Sequence, residues 1–89
     1  MAQPEFEYEE MTHSELRAYL KRLEVNVAQV RRRLSGFEAR FGSTTDEMFA
    51  SKTTEEIEAS AELSEWAGER EMLARLEEQR AALAERLKS

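Results

Sequence analysis

The chain has no cysteine, one proline and three glycines among its 89 residues. Without cysteine it cannot form a disulfide bond or a thiolate metal site. Few prolines and glycines, combined with 36% charged residues, are typical of long helices with solvated faces. No apolar run approaches the roughly 20 residues that a membrane-spanning helix needs, and the acidic start lacks a secretory pattern. We therefore expect a cytoplasmic protein that does not enter membranes.

Residues that commonly carry chemistry are also scarce. His13 is the one histidine, and we expect it to be exposed at the first turn of a helix. Neither an H-E-x-x-H pair nor a glycine-rich phosphate loop is present. The carboxylates fall on solvent faces, and the acidic run at residues 55–62 matches no calcium loop. The sequence thus predicts a protein that is not an enzyme, with no catalytic residue, no metal and no cofactor.

The net charge of −6 is unevenly distributed. Residues 12–41 carry seven Lys or Arg and three acids, whereas residues 52–89 carry six Lys or Arg and ten Glu. A basic helix and an acidic helix of one chain can pair with each other. The acidic total argues against nucleic acid as the main partner. In a helix, Arg31, Arg32 and Arg33 point in different directions, which favours a solvated or internally paired face.

Residues 1–11 contain four Glu, no Lys or Arg, and one proline. This composition predicts a flexible acidic tail. Phe6 and Tyr8 are unusual in an inert tail. Either these rings pack locally on the first helix, or the segment orders on a partner.

The following residues, 12–89, predict a helical domain that starts at a capping box. Thr12 and Glu15 have the required spacing, and Met11 and Leu16 fit the hydrophobic staple that often flanks such a box. Apolar residues then recur at alternating intervals of four and three up to Phe41, and Gly42 provides a helix terminator. The pattern predicts a helix at about 12–41 with a possible kink at residues 35–36. The apolar seam of this helix comprises Leu16, Leu20, Leu23, Val27, Val30, Leu34, Phe37 and Phe41.

Two further Thr-x-x-Glu boxes, at Thr44 and Thr53, predict a short connecting helix at about 44–51 and a long one at about 54–87. The seam of the long helix is interrupted by Glu69 and Arg80, which could fix the pairing orientation. The pair at residues 67–68 permits close backbone approach or marks a break. The apolar residues of this seam are Leu73, Leu76, Leu83 and Leu87.

These elements predict an all-α fold, an antiparallel hairpin of two long helices with a short connecting helix. Tyr19, Val25 and Met72 lie off the main seam, so we expect association into a helical bundle, as a homo-oligomer or a hetero-complex. The corner of the hairpin leaves two alternatives open. Its large apolar residues form a small core that closes the hairpin, or part of them forms a docking surface for a partner. The residues expected to meet in this small core are Phe37, Phe41, Met48, Phe49, Ile57, Leu63 and Trp66. The corner residues that would form the docking surface are Phe41, Met48, Phe49 and Trp66.

Residues 37–79 resemble a pattern found in small bacterial and archaeal proteins, F-E-x-x-[FY]-G-x-[ST]-[ST]-x-E-x-F followed by an acidic gap and E-W. Those proteins are similar to the antitoxin halves of toxin–antitoxin operons, and residues 11–20 resemble the start of small cyanobacterial proteins of the same standing. The resemblance implies a suspected role and no catalytic residues. The residues that carry it are Phe37, Glu38, Phe41, Gly42, Thr44, Thr45, Glu47, Phe49, Glu65 and Trp66.

The leading expectation is therefore a non-catalytic protein-binding module, an antitoxin that neutralises a small basic toxin. The partner-binding residues would be the tail rings Phe6 and Tyr8 together with the corner residues. The alternative is a self-associating coiled-coil protein of structural or assembly function with no toxin partner. A third interpretation, a nucleic-acid adaptor acting through residues 31–33, predicts binding that collapses with salt.

Overall fold

The computed structural model describes residues 11–88, and these fold into four helices without strands. Helix α1 spans His13–Phe41, α2 spans Thr45–Ala50, α3 spans Thr54–Glu58 and α4 spans Ala61–Lys88. The long helices α1 and α4 pack against each other along their length, and α2 and α3 form the corner between them. The predicted all-α helical hairpin is confirmed. None of the described helices is both long and apolar enough to cross a membrane.

All three predicted capping boxes are present. In each one the threonine hydroxyl accepts the backbone N–H of the glutamate three residues later, and that carboxylate accepts the threonine N–H. Two orphan donors are thereby satisfied at each helix start. Helix α1 ends at Gly42, whose φ of 65° is left-handed and whose N–H donates to the Glu38 carbonyl at 2.8 Å. The caps explain why the chain reverses direction within so few residues.

The apolar seam forms two clusters that share Leu76. One lies at the corner and is centred on Trp66, and the other lies towards the chain ends and is centred on Leu83. Both of these side chains are fully buried, and Met11 packs against the second cluster. Leu20, Leu73, Leu76 and Leu87 are half-buried, as expected where two helices share a single line of contact. The buried α1 residues are Leu16, Leu23, Val27, Val30, Leu34 and Phe37.

One predicted element differs from the structure. The segment expected as a single helix over 54–87 is divided at Ala59–Ser60 into α3 and α4. The Ser60 side chain accepts the Leu63 N–H at 3.2 Å, and Ser64 donates its hydroxyl to the Ile57 carbonyl at 2.9 Å. Serine favours a helix start because its side chain replaces the missing intrahelical acceptor. Residues 67–68, the alternative place for a break, lie within the continuous helix α4.

Ion pairs cross the hairpin beside the seam. Arg31 pairs with Glu77, Arg33 with Glu69 at 2.9 Å and Arg40 with Glu62 at 3.3 Å. Exposed pairs of this kind each contribute about 0–1 kcal/mol. Their value lies in alignment, because each fixes one turn of α1 against one turn of α4.

Candidate interaction surface

Trp66 organises the corner. The Phe37 ring stacks on it with centroids 5.5 Å apart, Phe41 stacks at 5.4 Å, and Phe49 meets it edge-on at 5.4 Å. The side chain of Trp66 is 0% exposed. Because α1, α2 and α4 each supply a ring, the three elements are held together at one point. Aromatic pairs in these geometries add about 0.5–1.5 kcal/mol beyond the area they bury.

A hydrogen-bond chain satisfies the polar atoms inside this aromatic cluster. The Trp66 indole Nε1–H donates to the Thr45 hydroxyl at 3.0 Å, and that hydroxyl donates to the Glu38 carboxylate at 2.9 Å. The same carboxylate oxygen accepts the Thr45 backbone N–H at 2.7 Å. Glu38 thus links the end of α1 to the first turn of α2. No buried side-chain nitrogen or oxygen among residues 11–88 lacks a partner.

The residues predicted to bind a partner divide into three groups. Trp66 and Phe49 are buried in the core of the hairpin, which fits the expected small core better than a docking surface. Phe41 lies at the rim with 37% of its surface exposed, and Met48 is half-buried. Phe6 and Tyr8 lie outside the described residues.

Two arginines lie over three rings of the aromatic cluster. The Arg40 guanidinium lies 4.9 Å from the Phe37 centroid and 6.0 Å from the Phe41 centroid, and Arg70 lies 5.3 Å from the Phe49 centroid. A cation over a ring face is attracted by the ring quadrupole. The rim of the corner is therefore polar, and Phe41 is the one ring of its aromatic cluster that reaches solvent appreciably.

The acids at the corner end of the hairpin fall into two groups: those engaged in caps, hydrogen bonds or ion pairs, and those without a cationic partner among residues 11–88. Glu47 and Glu56 are used by capping boxes, Glu38 binds Thr45, and Glu62 pairs with Arg40. The capping hydrogen bonds with Thr53 lower the pKa of Glu56 below its ordinary value. Four further acids are exposed, and their carboxylates have no cation within salt-bridge distance among residues 11–88. We name them the corner acids: Asp46, Glu55, Glu58 and Glu65.

Sequence reasoning did not single out the corner acids as a site. The acidic run at residues 55–62 was noted there only because it matches no calcium loop, and in the structure Glu55 lies in the first turn of α3, where the helix dipole favours an acid. The signal that separates the corner acids from their neighbours is their position relative to the capping boxes. An acid three residues after a capping threonine is engaged by that threonine, whereas the corner acids occupy other positions.

The opposite charge collects on the outer side of α1. Of the three consecutive arginines, Arg31 and Arg33 pair across the hairpin, which agrees with the expected internally paired face. The remaining cations of α1 outside the corner are exposed and have no acidic partner within salt-bridge distance in the described part of the chain. These are Arg17, Lys21, Arg22 and Arg32.

A shallow groove of about 440 Å³ lies between α1, the start of α2 and α4, and is bordered by Ser35, Glu38, Thr45 and Arg70. Its polar groups at Glu38 and Thr45 are already hydrogen-bonded to each other. Within residues 11–88, no three His, Cys, Asp or Glu side chains are grouped so that they could hold a metal ion. The charged outer surfaces are therefore better candidates for interaction than the groove.

The chain matches no protein-family model, and no curated protein or solved structure is significantly similar to it.

Proposed function

We propose that this chain is a non-catalytic, cytoplasmic protein-binding module that neutralises a small basic partner, as the antitoxin of a toxin–antitoxin pair does. The observation that carries the proposal is the set of corner acids. They are exposed and unpaired within residues 11–88, although other acids of the same helices are engaged in caps and ion pairs. A surface of uncompensated carboxylates suits a partner that presents lysines and arginines.

The corner combines this charge with a rigid apolar contact. Phe41 is 37% exposed, and its ring is held by stacking on Trp66. A partner that covers this ring would bury apolar area without having to order a mobile side chain, which reduces the entropic cost of binding. The corner acids would then increase the association rate, because complementary charges steer diffusional encounter.

Residues 1–10 fit the same proposal by composition. They contribute four Glu together with Phe6 and Tyr8 and no Lys or Arg. Carboxylates can occupy the positions of phosphates in a nuclease cleft, and aromatic rings can replace stacked bases. This part of the proposal rests on sequence alone.

Co-expression with the product of an adjacent reading frame tests the proposed function. Expression of a small basic neighbour alone should arrest growth, and the wild-type chain should restore it. A single variant that neutralises all four corner acids should fail to restore growth. Its substitutions are Asp46→Asn, Glu55→Gln, Glu58→Gln and Glu65→Gln. If the neighbour is harmless when expressed alone, the toxin–antitoxin assignment is wrong.

A matched control separates local charge from total charge. The control variant removes four acids that lie away from the corner end, so both variants have the same net charge. Its substitutions are Glu24→Gln, Glu71→Gln, Glu78→Gln and Glu85→Gln. The control should restore growth as well as the wild type does. Equal failure of both variants would show that only total charge matters, and thermal melts of both variants check that they remain folded.

Self-association is the second candidate, and exposed apolar side chains favour it. Val25 is 56% exposed and Met72 is 39% exposed. A structural or assembly protein would bury these positions against further copies. Light scattering on the purified chain distinguishes the two candidates: a stable oligomer that loses mass on Val25→Glu or Met72→Glu supports assembly, and a monomer at high micromolar concentration excludes it.

A further inference from the structure

The side of α1 that faces away from α4 combines exposed cations with an exposed apolar residue. Val25 is two positions from both Leu23 and Val27, and two residues turn about 200° around a helix, so Val25 points away from the seam. It is 56% exposed. We define the α1 outer face by six exposed residues: Arg17, Lys21, Arg22, Val25, Ala28 and Arg32.

The complementary charge lies at the other end of the same hairpin. The corner acids are exposed and have no cation within salt-bridge distance among residues 11–88. One of them, Asp46, borders the same groove as Ser35, which lies near the end of α1. Arg17 and Lys21 lie near the start of α1. The flank of this one helix is therefore basic at one end and acidic beside the other.

We propose that a second copy of the chain docks on the α1 outer face, with the two α1 helices antiparallel about a two-fold axis near Ala28. Antiparallel pairing sets the basic end of each helix beside the acidic corner of the other. A parallel pair would set like charges together, which is unfavourable. Because both copies use the same patch, association closes at a dimer. The pairing concerns two copies of the chain alone and does not depend on the proposed function.

The position of the axis follows from the length of α1. The helix spans His13–Phe41, so its midpoint is at residue 27, and Ala28 is the small residue of the α1 outer face nearest to it. With the axis at Ala28, Lys21 comes level with Ser35 of the second copy. These two positions are 14 residues, or about four turns, apart and thus lie on the same flank of α1. A two-fold axis brings the same flank of both helices together, so Lys21 faces the groove that Asp46 borders.

The centre of the dimer is consistent with the same register. Val25 lies within about one turn of Ala28 of the second copy, and the small side chain of alanine allows the two helices to approach closely. Arg32 comes level with Glu24 of the second copy. Both are exposed and lack an ion pair among residues 11–88. The contact would therefore bury an apolar residue between charge pairs, the usual arrangement of an interface core and its rim.

Asp46 is also one of the corner acids, so a second copy and a basic partner compete for it. Binding of a basic protein at the corner should separate the two copies and expose the α1 outer face. This consequence alone rests on the proposed function.

Charge-swap variants test the pairing on the chain alone, by sedimentation equilibrium. The wild type should be a dimer that weakens as salt is raised. Arg17→Glu with Lys21→Glu in one variant, and Asp46→Lys in another, should each raise the Kd of the dimer at least about tenfold, because like charges then meet at both symmetric ends. An equimolar mixture of the two variants should form dimers again, since every contact of the mixed pair is between opposite charges. A monomeric wild type at high micromolar concentration, or a mixture that stays monomeric, would overturn the proposal.

A matched variant separates the α1 outer face from total charge. Arg75→Glu with Arg86→Glu makes the same charge change on α4 as Arg17→Glu with Lys21→Glu makes on α1. It should leave the Kd of the dimer unchanged, and equal weakening by both variants would overturn the proposal.

Disulfide cross-linking locates the contact without altering any charge, and it remains decisive if thermal melts show that Asp46→Lys unfolds the corner. The chain has no native cysteine, so Ala28→Cys places a single thiol next to the proposed axis. Under mild oxidation this variant should form linked dimers faster than Ala82→Cys, which places an exposed thiol on α4. Equal rates for the two variants would show that the copies do not meet at Ala28 and would overturn the proposal.

Discussion

At the scale of single residues, Trp66 decides whether the hairpin closes. It is the only tryptophan, it contacts rings from two other helices, and its indole N–H is satisfied by Thr45. The sequence left open whether this residue belongs to the core or to a docking surface. Burial decides for the core, so changes at Trp66 should affect folding before they affect binding.

Trp66→Ala should lower the free energy of unfolding by about 3–5 kcal/mol, the usual cost of removing a large buried aromatic side chain. Trp66→Phe should cost less, because it keeps most of the apolar contact and loses the indole N–H. Urea unfolding followed by circular dichroism measures both variants. A fluorescence maximum of the folded wild type close to that of free tryptophan would contradict the burial on which this prediction depends.

Thr45→Val should destabilise the corner by about 1–3 kcal/mol, because it leaves the indole N–H of Trp66 buried without an acceptor. Thr45→Ser keeps the hydroxyl and should lose less stability. The comparison isolates the hydrogen bond, since valine has nearly the shape of threonine. Equal stability of the valine and serine variants would show that the hydroxyl contributes nothing.

At the scale of elements, the helix ends were predictable from sequence and the internal break was not. Capping boxes are local signals, and all three place their helices correctly. The break at Ala59–Ser60 depends on a single serine followed by an acidic helical stretch, which carries no Thr-x-x-Glu signal. Periodicity alone joined the two helices because Ile57 and Trp66 both face the core.

The motif that carries the resemblance can be explained element by element as a corner. Phe37, Phe41, Phe49 and Trp66 form the ring cluster, Gly42 ends α1, and Thr44 with Glu47 starts α2. Glu38 and Thr45 form the hydrogen-bond chain. Glu65 is the exception, since it is exposed and is one of the corner acids. The antitoxin assignment itself stays a prediction, because these residues are needed to build the corner whatever the protein binds.

Two glycines should respond oppositely to alanine substitution. Gly42 has a left-handed φ of 65°, so Gly42→Ala should destabilise by about 1 kcal/mol. Gly36 lies inside α1, and nothing lies within 4 Å of a Cβ placed there. Gly36→Ala should therefore stabilise by about 0.5–1 kcal/mol, the difference in helix propensity. Thermal melts measure both, and shifts of the same sign would contradict the assigned backbone conformations.

The ion pairs of Glu77, one with Arg80 in the same helix and one with Arg31 across the hairpin, predict a pH dependence. Hydrogen bonds from Arg80 and then Arg31 lower the pKa of Glu77 below its ordinary value. A lowered folded-state pKa means that this contribution is complete above the ordinary glutamate pKa and is lost as the pH falls through the folded-state value. Glu77→Gln should therefore be less stable than wild type near neutral pH, by at most about 1 kcal/mol per surface pair, and the difference should vanish in acid.

Glu78→Gln is the matched control for this pH series, because Glu78 is the next residue and forms no ion pair within residues 11–88. Melting temperatures of the three proteins should be measured from neutral pH down to about pH 2, below the ordinary glutamate range. The control should follow the wild type throughout. A Glu77→Gln curve parallel to wild type at every pH would show that the pairs with Arg31 and Arg80 do not stabilise the hairpin.

At the scale of the whole molecule, the sequence predicted the architecture better than the surface. Apolar periodicity and caps determine the hairpin, because both are local patterns that can be counted along the chain. Which charges remain free depends on pairing across α1 and α4, and that pairing requires the register of the two helices. The corner acids and the exposed cations of α1 therefore became apparent only when Arg31, Arg33 and Arg40 were seen to be paired.

Isothermal titration calorimetry with the basic product of the adjacent reading frame tests the central claim, that the corner acids bind a basic protein, most directly. The wild-type chain should bind with a Kd that weakens as salt is raised. The variant lacking the corner acids should bind at least about tenfold more weakly, a loss of about 1.4 kcal/mol, while the matched variant of Glu24, Glu71, Glu78 and Glu85 should bind like wild type. Absence of binding by the wild type, or equal affinities of the two variants, would contradict the account.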